Sequence, residues 1–242
     1  PGRWEGVAGS RPAALWTEEG TLLLEVPQGE EPFWRRYLDL DRDYEAIWRA
    51  LGEDPVLAGA LDACPGIRIL RQDPWETVCT FIISANNNIP RIRGIVERLC
   101  QGWGPPAGEG GRGFPGPEAV AALTPEDLAP LRAGYRTSYL LAAARQVAAG
   151  EVDLDALEKT PADEALEQLC RLRGVGVKVA SCVLLFGYGR LDCVPVDIWI
   201  GRVMERLYPG GWPEAVRPYA GVAQQVLFRH IRRNPNLGLP PA

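Results

Sequence analysis

Histidine is nearly absent from this chain of 242 residues, and lysine is rare. His230 is the single histidine, so a histidine-based catalytic triad or a histidine zinc site would lack partners. Lys159 and Lys178 are the only lysines, and the remaining basic residues are arginines. Arginine stays protonated in proteins and cannot replace an amine nucleophile. A chain that otherwise uses arginine has therefore kept an amine at Lys178.

Metal-binding cysteine motifs are also missing. None of the six cysteines has a neighbour at the two-residue spacing that closes a metal or iron–sulfur loop, so we expect no metal and no cofactor. Apart from Cys182, which is considered below, each is expected to be a buried, reduced thiol. The six are Cys64, Cys79, Cys100, Cys170, Cys182 and Cys193.

Long apolar runs are absent as well. The run from Val179 to Phe186 is far short of the roughly 18 residues that cross a membrane, and nothing reads as a signal peptide. We therefore expect a cytoplasmic protein that does not contact membranes. The net charge of −5 argues against a general nucleic-acid coat, but a local basic face is compatible with an acidic whole. The arginines expected to form such a face are Arg91, Arg93, Arg98, Arg132 and Arg136.

The chain divides into a short β-rich start and a long helical remainder. Residues 1–41 carry strand-like runs at 13–16 and 21–26, joined by a turn at 18–20, and predict a small antiparallel β subdomain. Because the chain begins at Pro1 without methionine, we expect this subdomain to be truncated.

Residues 42–242 are predicted to be all-α, with one exposed loop rich in glycine and proline at 105–117. The predicted helices are 44–51, 74–85, 90–102, 117–123, 125–133, 136–149, 154–159, 162–172, 177–187, 198–207 and 219–233.

The segment 172–178, Leu-Arg-Gly-Val-Gly-Val-Lys, predicts a helix–hairpin–helix. Gly174 and Gly176 would form the tight turn, and the second helix would begin at Val177. Free backbone N–H groups of the turn and of the helix start, including Val179, would then point at a DNA phosphate. Such a turn is also an ordinary helix connection, but the lysine that follows it favours a chemical role.

Lys178 and Cys182 are four residues apart and so share a helix face. Desolvation and a helix N-terminus both lower the pKa of a lysine, which frees a nucleophilic amine at neutral pH. Asp197, nineteen residues after Lys178, supplies a carboxylate. Lys178 can also be interpreted as a surface lysine whose alkyl chain packs on the protein while its amine reaches water. Asp197 can be interpreted as a helix N-cap, a role that is compatible with catalysis.

The chain resembles the 8-oxoguanine DNA glycosylases of the helix–hairpin–helix superfamily, from roughly residue 3 to residue 229. The resemblance implies a mainly α fold of two helical lobes with a small N-terminal antiparallel sheet. The strings that carry it, besides the Lys178 and Asp197 motifs, are Leu70-Arg71-Gln72-Asp73-Pro74, Asn86-Asn87-Asn88-Ile89 with Arg91, Gly134-Tyr135-Arg136, and Tyr219-Ala220-Gly221 with Gln224 and Phe228.

The resemblance also implies roles for these residues. Lys178 would attack the anomeric carbon of the damaged nucleotide, and Asp197 would stabilise the positive charge on the sugar. The flipped base would lie between Cys182 and Phe228, with Gln224 bonding its pairing edge. The residues expected to engage the estranged cytosine and fill the gap are Asn86, Arg91, Tyr135 and Arg136.

The function implied is removal of 8-oxoguanine opposite cytosine from double-stranded DNA by a monomeric, bacterial, nucleoid-associated glycosylase, with abasic-site lyase activity. Two positions depart from the family pattern, namely Arg173, where the hairpin usually has proline, and Trp199. Adenine-mismatch and endonuclease III-like glycosylases are alternatives, but the four-cysteine cluster they usually carry is missing. A non-catalytic helix–hairpin–helix DNA-binding module is the alternative from another class.

Overall fold

A three-stranded antiparallel sheet opens the fold. The computed structural model describes residues 2–108 and 110–233. Strands β1 (Trp4–Ala8), β2 (Arg11–Glu18) and β3 (Thr21–Glu25) follow one another across the sheet, with β2 in the centre. The sheet confirms the expected β subdomain. Strand β1 was not expected because its residues include Gly6 and show no clear alternation of apolar and polar side chains.

Eleven α-helices are found within the described residues. They are α1 (Glu31–Tyr37), α2 (Tyr44–Gly52), α3 (Pro55–Asp62), α4 (Pro74–Ser84), α5 (Ile89–Trp103), α6 (Pro117–Ala121), α7 (Arg136–Ala148), α8 (Ala162–Cys170), α9 (Val177–Gly187), α10 (Ile198–Leu207) and α11 (Ala220–Arg233).

The helices form two lobes, as expected, because the buried side chains separate into two large clusters. The first cluster draws on α4, α5, α7 and α8. The second cluster draws on α2, α3, α10 and α11. A third, small cluster packs Trp34 of α1 against Ala8 and Ala13 of the sheet.

Helix α9 belongs to both lobes. Val183 and Leu184 enter the first cluster, whereas Leu185 enters the second. Eight of its eleven residues are buried, as is typical of a helix that is apolar all round. The helix also lies close to α4, since a Cβ on Gly187 would come within 3.2 Å of the Pro74 Cα. Lys178 at the start of α9 is therefore carried by the central helix of the fold.

Several local predictions were wrong. The expected helices at 125–133 and 154–159 are single 3₁₀ turns at Ala129–Leu131 and Ala156–Glu158. Pro130 inside the first segment and the left-handed Arg132 that closes it prevent a longer helix. The region beyond residue 41 is not all-α, because β4 (Pro106–Ala107) and β5 (Gly111–Arg112) form a small hairpin within the expected loop.

One of the five arginines expected to form a basic face, Arg136, is not at the surface. Arg136 is only 3% exposed, and so it cannot contribute charge to the surface of the protein as it stands. Arg91 and Arg98 lie on one face of α5 and donate to carbonyls of the loop before α7, at Arg132 (3.1 Å) and Leu131 (2.7 Å).

All six cysteines are free thiols, and Cys64, Cys79 and Cys182 are buried. The expected burial was wrong for the other three, which are only partly buried: Cys100, Cys170 and Cys193. Among the described helices, none combines the length and the apolar character needed to cross a bilayer.

Candidate functional site

The hairpin between α8 and α9 contains two glycines, and the fold requires a glycine at one of these positions, Gly174. Gly174 has a φ of +88°, which L side chains rarely adopt. A Cβ at this position would also lie 2.7 Å from the Cβ of Tyr139 on α7. The close approach of Gly174 to Tyr139 fixes where the hairpin lies on the first lobe.

Gly176, by contrast, faces open space. It is exposed, its φ is −102°, and a Cβ there would meet no heavy atom within 4 Å. Gly176 is the N-cap of α9 and offers no side chain to the backbone N–H groups of the first turn, which include that of Val179. The neighbouring Val177 is 64% exposed. The start of α9 is thus an uncapped, accessible helix N-terminus, which attracts anions.

Lys178 and Cys182 lie together on α9, as their spacing predicted. Burial raises the pKa of the Cys182 thiol to about 11, while the positive charge of Lys178 and a hydrogen bond with it act in the opposite direction. The negative charge of Asp197 also acts on this thiol. The thiol is therefore within electrostatic reach of both the amine and the carboxylate.

Asp197 caps α10. Its Oδ1 accepts a hydrogen bond from the Ile200 N–H at 2.7 Å, and its backbone is extended. The carboxylate remains exposed. Capping fixes the direction of the carboxylate without burying it. The N-cap interpretation of Asp197 is confirmed, and its catalytic role stays a prediction.

An aromatic residue beside Lys178, and a second one that stacks on it, were missed by the sequence analysis. The Nζ of Lys178 lies 5.0 Å from the centroid of the Phe81 ring on α4. Phe81 in turn stacks on Phe186 of α9, with ring centroids 5.6 Å apart and planes 14° apart. The signal for Phe186 was the repeat of four residues from Lys178 through Cys182, which places all three on one helix face. Phe81 has no such local signal because it comes from another helix.

The loop before α5 is held by Arg136. Its guanidinium donates to the backbone carbonyls of Ala85 (from Nε at 3.0 Å), Ala133 (3.2 Å) and Asn86 (2.8 Å), and makes a second, shorter bond to Ala85. Asn86 itself is left-handed, with a φ of +47°. Arg136 thereby fixes a strained turn at the residue expected to touch the estranged base.

Tyr135 and Arg91 lie beside this turn. Tyr135 is 54% exposed, its hydroxyl donates to the Ala85 carbonyl at 3.3 Å, and the Arg136 guanidinium stacks on its ring at 4.5 Å. Arg91 is in the first turn of α5, where its N–H is capped by the Asn88 side chain. The structure therefore brings together the four residues expected at the estranged base, around the Ala85 carbonyl and the start of α5.

Gln224 and Phe228 lie one turn apart on α11. A Cβ on Gly221 would come within 2.5 Å of the Cys193 carbonyl and 2.7 Å of the Leu185 side chain, so the start of α11 is pressed against α9. Gln224 is 4% exposed, and its Oε1 accepts from Gln225. Their place around a flipped base stays a prediction.

Within residues 2–108 and 110–233, no three metal-ligating side chains lie together. The arrangement offers instead an amine, a carboxylate and an anion-binding helix start, which suits covalent chemistry on a phosphate-bearing substrate.

Comparison with known families accounts for most of the chain. Residues 79–217 match the HhH-GPD superfamily of base excision DNA repair proteins. Residues 4–78 match the N-terminal domain of 8-oxoguanine DNA glycosylases. The chain therefore belongs to the 8-oxoguanine DNA glycosylase family of the HhH-GPD superfamily.

Individual relatives agree with this. A probable N-glycosylase/DNA lyase of Methanothermobacter thermautotrophicus is 32% identical over 92% of this chain and 83% of its own length. The N-glycosylase/DNA lyase of Saccharomyces cerevisiae is 35% identical, over 59% of this chain but only 42% of its own. The 8-oxoguanine glycosylase/lyase of Clostridium acetobutylicum, in complex with double-stranded DNA containing cytosine opposite 8-oxoG, is 31% identical, with a TM-score of 0.87 over 97% of this chain and 86% of that chain.

Proposed function

We propose that this protein excises 8-oxoguanine lying opposite cytosine in double-stranded DNA and then cleaves the resulting abasic site. The observation that carries the proposal is the grouping of Lys178 with Cys182 and Asp197 at an open helix–hairpin–helix, in a chain of this family. The relative from Clostridium acetobutylicum carries the same activity in its name and binds DNA with that base pair.

The chemistry assigns one step to each group. The neutral Lys178 amine attacks C1′ of the damaged nucleotide, and the bond from C1′ to the base breaks with its electron pair leaving on the base. Loss of a proton from the nitrogen and opening of the sugar ring, in which O4′ takes up a proton, give an imine. Removal of a C2′ proton then forms the C2′–C3′ double bond and expels the 3′ phosphate by β-elimination. The Asp197 carboxylate, fixed by the Ile200 N–H, stabilises the positive charge that develops on the sugar.

Recognition divides between the two lobes. The flipped base is held between Cys182 and Phe228, and the buried Gln224 amide bonds its pairing edge. Asn86, Arg91 and Arg136 engage the estranged cytosine, with Tyr135 as the wedge. The role at the estranged cytosine is supported by the hydrogen bonds that hold Tyr135 and Arg136 at the turn of Ala85 and Asn86.

The hairpin holds the DNA backbone. Gly174, Gly176 and Val179 present backbone N–H groups to a phosphate, and the free volume at Gly176 admits it. Such contacts position the DNA without reading its sequence. The same proposal includes a monomeric protein that needs no cofactor and works in the bacterial cytoplasm beside the nucleoid.

Borohydride trapping on a duplex with a single 8-oxoguanine opposite cytosine tests the proposal. We expect a covalent adduct with the parent chain and none with Lys178→Gln. Lys159→Gln is the matched control, because it removes the other lysine, which is exposed, and leaves the site intact.

Three results would contradict the proposal in distinct ways. An adduct that persists in Lys178→Gln would mean another amine is the nucleophile. An adduct only on duplexes with a mispaired adenine or an oxidised pyrimidine would indicate one of the related glycosylases. DNA binding without an adduct on any substrate would indicate a non-catalytic module.

A further inference from the structure

The Lys178 ammonium has an aromatic partner rather than an acidic one. Within the described part of the chain, no carboxylate oxygen lies within 4 Å of its nitrogen, whereas the Phe81 centroid is 5.0 Å away. A cation at this distance from a ring is attracted by the negative face of the π system. The charged amine is therefore held by a group that interacts much less with it once it becomes neutral.

The Phe81 ring is itself fixed in place. It stacks nearly parallel on Phe186, which projects from α9 two turns after Lys178. Helices α4 and α9 pack closely, as the approach of Gly187 to Pro74 shows. Lys178 and Phe186 thus project from the same helix, α9, and Phe81 projects from the neighbouring helix, α4.

We propose that Phe81, braced by Phe186, is a positioning residue for Lys178 that holds the protonated amine in place and releases it on deprotonation. The assignment of Lys178 as nucleophile rests on the proposed function, but the contact itself does not. The attraction is to the charge, so the ring holds the amine while it is protonated and much less once it is neutral.

Other groups around Lys178 bear on its titration. On α9 itself the Cys182 thiol is the titratable neighbour, and the charge of Asp197, at the start of α10, acts on that thiol. The hairpin side carries Arg173, which is exposed, and α4 carries the buried Cys79. A test must therefore change the ring while leaving all of these in place.

Fluorination of Phe81 meets that requirement, since it weakens the π face and barely changes the shape of the ring. With only two lysines in the chain, ¹³C-labelled lysine gives two sets of side-chain signals, and each can be titrated by NMR. We expect the pKa of Lys178 to fall in steps from phenylalanine to 4-fluoro- to 3,4,5-trifluorophenylalanine at position 81. Phe81→Leu should act in the same direction, and Phe81→Tyr should restore the parent behaviour.

Lys159 is the internal control and should titrate identically in every variant. Phe33→Leu is the matched variant, because the Phe33 ring also holds a cation, Arg11, but lies at the β-sheet. In single-turnover excision of 8-oxoguanine, the acid limb of the rate profile should move to lower pH in step with the NMR values.

A Lys178 pKa that stays the same across the fluorinated series would overturn the proposal, even if Phe81→Leu lost activity through altered packing. If the NMR shifts appear but no excision or adduct is found on any substrate, the positioning contact stands and the proposed function fails. If excision proceeds without NMR shifts, the proposed function stands and the positioning role of Phe81 fails.

Discussion

The two hairpin glycines allow structural and functional needs to be separated by the same substitution. Gly174→Ala forces an alanine into a left-handed conformation and brings its Cβ to 2.7 Å from the Tyr139 Cβ. The backbone strain alone costs about 1–2 kcal/mol, and the overlap must be relieved by movement of Tyr139 or of the hairpin. We expect a loss of about 2–4 kcal/mol in the free energy of unfolding.

Gly176→Ala should behave differently. Its φ of −102° suits alanine, and no heavy atom lies within 4 Å of the added Cβ. The gain from a stiffer unfolded chain and the loss of a favourable N-cap glycine are each a few tenths of a kcal/mol to about 1 kcal/mol and opposite in sign, so stability should change by less than about 0.5 kcal/mol. DNA affinity should nevertheless fall, by about tenfold or more, because the methyl group occupies the space proposed for the phosphate.

Urea denaturation gives the stabilities, and fluorescence anisotropy with a labelled duplex gives the affinities. A Gly174→Ala protein as stable as the parent would refute the structural argument. A Gly176→Ala protein that binds DNA as tightly as the parent would refute the placement of a phosphate at this turn, whatever the outcome for Gly174.

Further predictions concern charge and recognition. Burial, reinforced by the negative charge of Asp73, raises the pKa of Glu76 to about 7 from its ordinary 4.5. The contribution of Glu76 to the free energy of unfolding is therefore fully present below pH 4.5 and is lost as the pH rises through 7. Glu76→Gln should therefore match the parent in urea denaturation at pH 4.5 and exceed it at pH 8 by at most about 3 kcal/mol, whereas equal stabilities at pH 8 would contradict the burial of a charge. Arg91→Gln should reduce the preference for cytosine over adenine opposite the lesion, measured as a ratio of single-turnover rates; an unchanged ratio would remove Arg91 from the estranged-base contacts. Affinity for DNA should fall steeply with salt, with a slope of log affinity against log salt of about −0.9 per phosphate contact, and a flat salt dependence would contradict binding through the backbone.

The sequence predicted best those parts of the fold in which local and long-range signals coincide. Helices α9 and α10 have the predicted bounds, because glycine or aspartate precedes each and an apolar pattern runs through each. Helix α3 was missed although Asp54 and Pro55 are strong start signals, since Gly59 interrupts a short segment. At the site, spacing along one helix predicted the pair Lys178 and Cys182, but Phe81 could not be predicted because its contact depends on how α4 packs on α9.

Arg136 shows where a residue's type and its surroundings give different information. The several N–H donors of the Arg136 guanidinium suit hydrogen bonding to the edge of a base, and this is the role that the resemblance implies. In the structure, however, the guanidinium bonds backbone carbonyls of Ala85, Asn86 and Ala133, and it is almost fully buried. Contact with a cytosine would therefore require that some of these bonds be exchanged. Loss of the bond to the buried Ala133 would cost about 1–3 kcal/mol if that carbonyl were left unpaired. Asn86 and Arg91 are exposed and need no such exchange. We therefore propose that they make the first contacts with the estranged base and that Arg136 acts first by holding the turn on which Asn86 stands.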